Sequence, residues 1–336
     1  RVDHSRHSDA RGDAMGGWLQ RFKALVLKGL AEQEGDRSGA VVTWRHLRGA
    51  LVLMAAAILF AVGYERLRAG CWQQSISAYY YTPVEGVFVG ALITIGVALV
   101  CLRGASDGED VLLNWAGICA PFVALVPTGP PDDDCGPVVA DAVSRDLSVG
   151  NNVTVLFVVL ALGMLGAAAA SYIDTSSASG RKPSALDRRG FLVAAAALVI
   201  AFGFFLWDRE GFVGIAHKFA AITLFVLIFL NVVLNAFQRS LVRKRNHLPP
   251  GWFNRYMVIA AVMFVDALVH IALAVGRWPY TVLTIEATLI VLAGAFWGVQ
   301  TVERWRDGIN PHPRPRGGRR GTPTPPVASA APVGQA

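Results

Sequence analysis

Two histidines and two carboxylates, His217, His270, Asp266 and Glu286, stand inside long apolar runs, where an ionisable group is costly and usually faces a cavity or a partner. Imidazole and carboxylate together can relay protons, hold a cation, or ligate Zn²⁺ with one position left open for water. His217 falls five residues inside the end of one apolar run, His270 six inside another, and Glu286 six inside a third. At a rise of ~1.5 Å per helical residue all three lie about 7 to 9 Å below one membrane boundary. Asp266 is one turn deeper than His270 on the same face, because i and i+4 stack along a helix. Above this level the sequence places Tyr79, Tyr80, Tyr81, Glu85, Asp208 and Lys218.

Three readings of this set stay open. The polar groups can satisfy one another across helices and do no chemistry; they can line an outward-facing pocket that binds or passes a small polar or lipid-headgroup ligand; or they can form a metal-dependent hydrolase with His217, Asp266, His270 and Glu286 as zinc ligands. The spacing of Asp266 and His270 is a weaker metal signal than an HExxH pair, which the sequence lacks. No Walker A loop or dinucleotide-binding GxGxxG unit is present. Ser75, Ser77 and the tyrosines become nucleophiles only with a base close by.

The elements that must position these residues are apolar helices. Of 336 residues 54% are hydrophobic and 16% charged, against ~25% charged in a soluble domain. With a mean hydropathy of +0.44 the chain reads as an all-α integral membrane protein, a bundle of about eight transmembrane helices in contact with the lipid bilayer. The spans are expected at 49–64, 84–102, 111–126, 152–172, 190–207, 212–237, 257–275 and 280–302. Residues 1–47 form a cytoplasmic N-terminal segment, disordered to about 17 and then an amphipathic helix over 18–30 that suits either the headgroup layer or packing on the protein's own loops. Residues 48–303 form the membrane domain, and 304–336 a basic, proline-rich disordered tail. No apolar run of the signal-peptide kind precedes Met15, so the first span is expected to direct insertion.

The net charge of +7 is not a nucleic-acid footprint, because the basic residues cluster in short connections. Arg45 and Arg48 precede the first span. Arg181, Lys182, Arg188 and Arg189 separate the fourth from the fifth, and Arg239, Arg243, Lys244, Arg245 and Arg255 the sixth from the seventh. The alternate connections hold Arg66 and Arg68, then Arg145 among Asp132, Asp133, Asp134, Asp141 and Asp146, then Arg209, then Arg277. This bias puts both termini in the cytoplasm. Only five of the 31 basic residues are lysine, which with the alanine and glycine load points by association to a bacterium and so to its inner membrane.

Cys71 and Cys135 then fall on the oxidising side and are expected to form a disulfide, while Cys101 and Cys119 stay as free thiols. The GxxxG pairs Gly86/Gly90 and Gly294/Gly298 suit close helix packing inside the bundle, or a homo-oligomer seam.

The segment SISAYYYT at 75–82, followed by VFVG at 87–90, resembles an uncharacterised family of bacterial multi-pass membrane proteins. Similar pieces are Asn114-Trp115-Ala116-Gly117, 124–128, His217 with Ala220 and Phe225, Arg255-Tyr256, and Glu286. The likeness covers about two thirds of the chain and departs over 151–207. It implies no known activity, though it includes His217 and Glu286. A more remote likeness to alkaline-ceramidase-type hydrolases rests on membrane-embedded His and Asp alone.

With Cys101 and Cys119 replaced by alanine, Arg243→Cys should react with an impermeant maleimide only after cells are opened. Arg145→Cys should react in intact cells; the reverse pattern, or one face for both, overturns the expected topology.

Overall fold

The computed structural model describes residues 38–129, 135, 142–176, 183–245 and 254–305. The expected amphipathic helix at 18–30, most of the acidic connection including Asp132, Asp133, Asp134 and Asp141, the basic pair Arg181 and Lys182, and the tail from 306 lie outside the described residues. Within them the chain is all-helical with no strand: α1 Ser38–Ala69, α2 Glu85–Cys101, α3 Asp107–Leu125, α4 Ala142–Ser176, α5 Ala185–Trp207, α6 Arg209–Arg245, α7 Arg255–Val275 and α8 Thr281–Glu303. A 3₁₀ turn, Ser77–Tyr81, interrupts the connection from α1 to α2. Six helices (α1 and α4 to α8) are long and apolar enough to cross a membrane. The seventh apolar helix, α2, is shorter, and α3 opens on Asp107, Glu109 and Asp110.

Local sequence explains where these helices begin. Ser106 caps α3 by accepting from the Glu109 N–H at 3.3 Å, and Ser184 with Asp187 forms a reciprocal capping box on α5. Asn254 caps α7 through the Met257 N–H. Asp208 accepts from the Gly211 N–H and starts α6. Helix α7 stops in a Schellman turn, where Trp278 N–H reaches Leu273 O and Arg277 takes a left-handed φ of 55°.

Side-chain contacts show the helices running alternately up and down. At one end Arg45 meets Trp305, Arg48 meets Gln300, and Glu303 holds Arg239 and Arg255, which gathers the N-terminal ends of α1 and α7 with the C-terminal ends of α6 and α8. Arg103 pairs with Asp110 at the same end, and Trp115 donates to Gly190 O, bringing in the start of α5. The basic connections that sequence grouped by alternation are thus grouped in space, as far as their residues are described. At the other end Cys71 and Cys135 are joined by a disulfide.

Helices α2 and α3 form the centre. Their closest approach is not at either expected GxxxG pair: Gly86, Gly90 and Gly298 have open space where a side chain would project, and Gly294 merely approaches Ala55. It is at Gly96 and Gly117, where a Cβ on Gly117 would stand 2.7 Å from Gly96 O and 2.6 Å from Val100 Cγ2. Pro121, one turn on, closes the same seam against Gly96. Helices α4 and α5 flank α3 and expose most of their apolar residues, as lipid-facing helices do.

Gly117→Val should therefore force α2 and α3 apart and lower stability by about 1 to 3 kcal/mol. Gly90→Val should leave the melting temperature in detergent nearly unchanged; equal losses at both positions would remove Gly96 and Gly117 as the tight seam.

Candidate functional site

The connection from α1 to α2 does not leave the bundle. Ile76, Ser77, Ala78, Tyr79, Tyr80 and Tyr81 are all buried, and their backbone finds partners as it would have to away from water. Gln74 O accepts from the Leu283 N–H of α8 at 3.0 Å, and Ser75 Oγ accepts from the Ala78 N–H. Thr82 Oγ1 donates to Tyr79 O, Tyr81 OH donates to Thr128 O, and the Gln73 side chain donates to Cys135 O. The disulfide and these bonds fasten the segment across the tops of α3 and α8.

Glu286 is the carboxylate beneath it. Its Oε2 accepts from the Ile76 N–H at 2.6 Å, and its Oε1 lies 3.2 Å from Ser77 Oγ. On the far side of the same hydroxyl, 2.9 Å away, is His217 Nε2, while His217 Nδ1 lies 2.5 Å from Val126 O. A carbonyl only accepts, so Nδ1 carries hydrogen and Nε2 is the nitrogen free to gain or lose a proton. Two fully bonded arrangements follow. In one, a neutral Glu286 carboxyl donates to Ser77 Oγ and Ser77 donates to Nε2. In the other, protonated His217 donates to Ser77 and Ser77 donates to the Glu286 carboxylate. They interconvert when two protons hop, one from Glu286 to Ser77 and one from Ser77 to His217, with net transfer of one charge along the chain.

Glu286 and Ser77 open onto a cavity of about 60 Å³ whose other walls are apolar, among them Phe88, Leu92, Leu224, Ile228 and Trp297. It follows α8 inward from Glu286 to Trp297, eleven residues or roughly 16 Å. One turn beyond lies a second buried polar group that the sequence reading passed over. Arg48 is 1% exposed, stacks on Trp44, and donates to Gln300 Oε1. Gln300 Nε2 donates to Asn235 Oδ1 at 2.7 Å, and Asn235 Nδ2 reaches Glu109 Oε1 at 3.2 Å. Glu109, 0% exposed, also accepts from the Ala105 N–H. Arg48 stood in the sequence as a charge preceding the first span, and Glu109 was not singled out; the signal was Asn231, Asn235 and Gln300, three amides set in two apolar runs.

The four residues expected to converge do not. Asp266 and His270 lie on the seam between α7 and α8, where Thr288 donates to Asp266 Oδ2 at 2.8 Å, His270 Nε2 lies 3.0 Å from Thr284 Oγ1, and Nδ1 lies 2.8 Å from Asp266 O. Thr284 and Glu286 share a depth, but two residues turn a helix by about 200°, so they face opposite ways. Among the described residues no three of the His, Cys, Asp and Glu side chains form a metal-binding group, so the zinc set is not assembled. Lys218 is exposed on the outside of α6, Asp208 serves as a cap, and Glu85 is half-buried at the start of α2. Tyr79, Tyr80 and Tyr81 are packed into the core. No family model, curated protein or solved structure matches this chain.

Gln300→Leu should take from the buried Arg48 guanidinium its Gln300 Oε1 partner, at about 1 to 3 kcal/mol for a buried group left without one, while Asn235 Oδ1 keeps Arg304 at 3.4 Å. Unfolding in detergent should show that loss; an unchanged melting temperature would mean the network is not closed as described.

Proposed function

We propose that this chain is a multi-pass inner-membrane protein of eight spans, both termini cytoplasmic, that moves a proton through the bundle, with Glu286 as the site that takes it up. The observation that carries the reading is the chain Glu286, Ser77, His217, whose two bonded arrangements differ only in where protons sit and which opens on an apolar cavity. Size supports it. A space of about 60 Å³ has room for roughly two waters at ~30 Å³ each, well below the ~300 Å³ at which pockets for small organic ligands begin. The next polar groups, the inner amides and Glu109, follow one turn past Trp297, beyond the cavity's inner end. The two remaining helices count as spans on this reading because α2 is an uninterrupted apolar run with Val87, Val97 and Val100 exposed on its outer flank, and α3 packs along it through Gly96 and Gly117. The likeness of 75–82 and 87–90 to an uncharacterised bacterial family belongs to the same proposal: the helices over 151–207, where the likeness departs, flank the bundle and contribute nothing to the cavity.

One contact favours a second reading. Ser77 Oγ at 2.9 Å from His217 Nε2 is a nucleophile beside a base, so a serine-dependent hydrolase would use the same atoms. Labelling of Ser77 by a fluorophosphonate probe would select that reading over the first.

In liposomes holding a trapped pH dye, a potassium diffusion potential should drive acidification through the wild type. Glu286→Gln, whose amide keeps the bond to Ser77 but cannot release a proton, should lower the rate at least tenfold. Asp266→Asn, on the other seam, should stay within twofold. A Glu286→Gln protein that conducts like wild type, or a wild type that does not conduct, sinks the proposal.

A further inference from the structure

Beside the central cavity, on the rim of the bundle between α1 and α8, is a groove of about 380 Å³. Its floor is Leu59, Val62 and Gly63 of α1 with Leu283 and Ala287 of α8, and its mouth is framed by Trp72, Trp278 and Tyr280. The three aromatics come from the two connections at the disulfide end of the bundle, at the level where Trp and Tyr rings collect at a membrane boundary. The groove and the central cavity share one wall, Ile76, which lines both and whose N–H holds Glu286.

Two cations adjoin the aromatics that frame the mouth. The Arg66 guanidinium lies 5.5 Å from the centre of the Trp72 ring. Arg277 is exposed in the turn before Trp278 and holds the left-handed φ at which glycine is the unstrained residue. The nearest acid on α1, Glu65, is already engaged by Arg68 through two 3.0 Å bonds. An apolar slot of this volume, open towards the bilayer, with a positive rim at headgroup height, complements a molecule with an acyl chain and an anionic head.

We infer that the α1/α8 groove is a binding site for an anionic glycerophospholipid of the outer leaflet, its chain along Gly63 and Ala287 and its phosphate between Arg66 and Arg277. The inference rests on the membrane placement proposed above but not on proton movement. A lipid seated there presses on Ile76 and so on the connection that bonds Glu286, which makes the bound lipid a means of tuning the inner site.

The full chain in dodecylmaltoside micelles, titrated with dioleoylphosphatidylglycerol or dioleoylphosphatidylcholine, tests this by native mass spectrometry and thermal unfolding. Phosphatidylglycerol should remain bound and raise the melting temperature by several degrees, with phosphatidylcholine giving less than half that shift. Gly63→Phe places a ring where a Cβ meets nothing within 4 Å, so it should fill the groove and abolish the shift. Arg277→Gly relaxes its turn and leaves the groove intact, so it should fold at least as well yet lose most of the preference for the anionic lipid. An unchanged preference in Arg277→Gly, or a full shift from soluble glycerol phosphate alone, overturns the site. Lipid binding that persists in Glu286→Gln while proton flux is lost would separate this inference from the functional one.

Discussion

A carboxyl group walled in by apolar side chains has to find its hydrogen bonds inside the protein, and Glu286 finds them on a stretch of chain that is not helical. The Ile76 N–H and the Ser77 hydroxyl are available to it because the connection after α1 turns back into the bundle before the 3₁₀ turn begins. That irregular backbone is tolerable at such a depth only if every group in it is engaged, and the tyrosine, threonine and serine content of 75–82 is what engages it. Replace those side chains and both the segment and the acid lose partners at once. The site and the fold at that end are therefore one interaction described from two sides.

The opposite end is built on a different principle. There the charges are mostly arginine: Glu303 is shared by Arg239, Arg255 and Tyr256, Asp110 meets Arg103, and Glu109 is shared by two amides and a backbone N–H. Arg239, Arg255 and Tyr256 all converge on Glu303, which ties α6, α7 and α8 together just where their basic connections leave the bundle. A cluster that large keeps each charge in company, whereas Glu286 depends on two adjacent residues, through the Ser77 hydroxyl and the backbone of Ile76 and Ser77. Between the two ends the wall of the central cavity is apolar, and the polar pair Asp266 and Thr288 lies outside it on the α7 and α8 seam.

How much of this was legible in the sequence divides along a physical line. Depth was legible, because helical rise is fixed and charges mark the ends of apolar runs; His217 and Glu286 do meet at one level, through a serine whose role needed the fold to appear. Azimuth was not. The hydropathy of Thr281–Glu303 is nearly uniform around its axis, so nothing told Thr284 from Glu286, and three residues at one depth, with Asp266 a turn below, became two sites back to back. The same blindness misassigned the glycines: Gly86 and Gly90 have the motif spacing but an open flank, while Gly96 and Gly117 lie on different helices and form no motif in either. Cys71 and Cys135 were paired from compartment reasoning, which depends on which connections share a side and is indifferent to rotation.

That division bears on which parts can move. The seam of α2 with α3 is set by backbone against backbone at Gly96 and Gly117, with Pro121 behind, and close-packed contacts of that kind do not slide without opening a void. Helix α8 meets α6 only sparingly; the cavity lies between them, and the rim groove lies between α8 and α1. Any enlargement of the central space, for a solute bigger than water, must therefore come from α8 and the connection bonded to its first turns. Those are the elements that carry Glu286 and Ile76, so the groups that hold the proton and the wall that separates the two cavities would shift together. Rigidity on one side and thin contact on the other place the working surface of this bundle on α8.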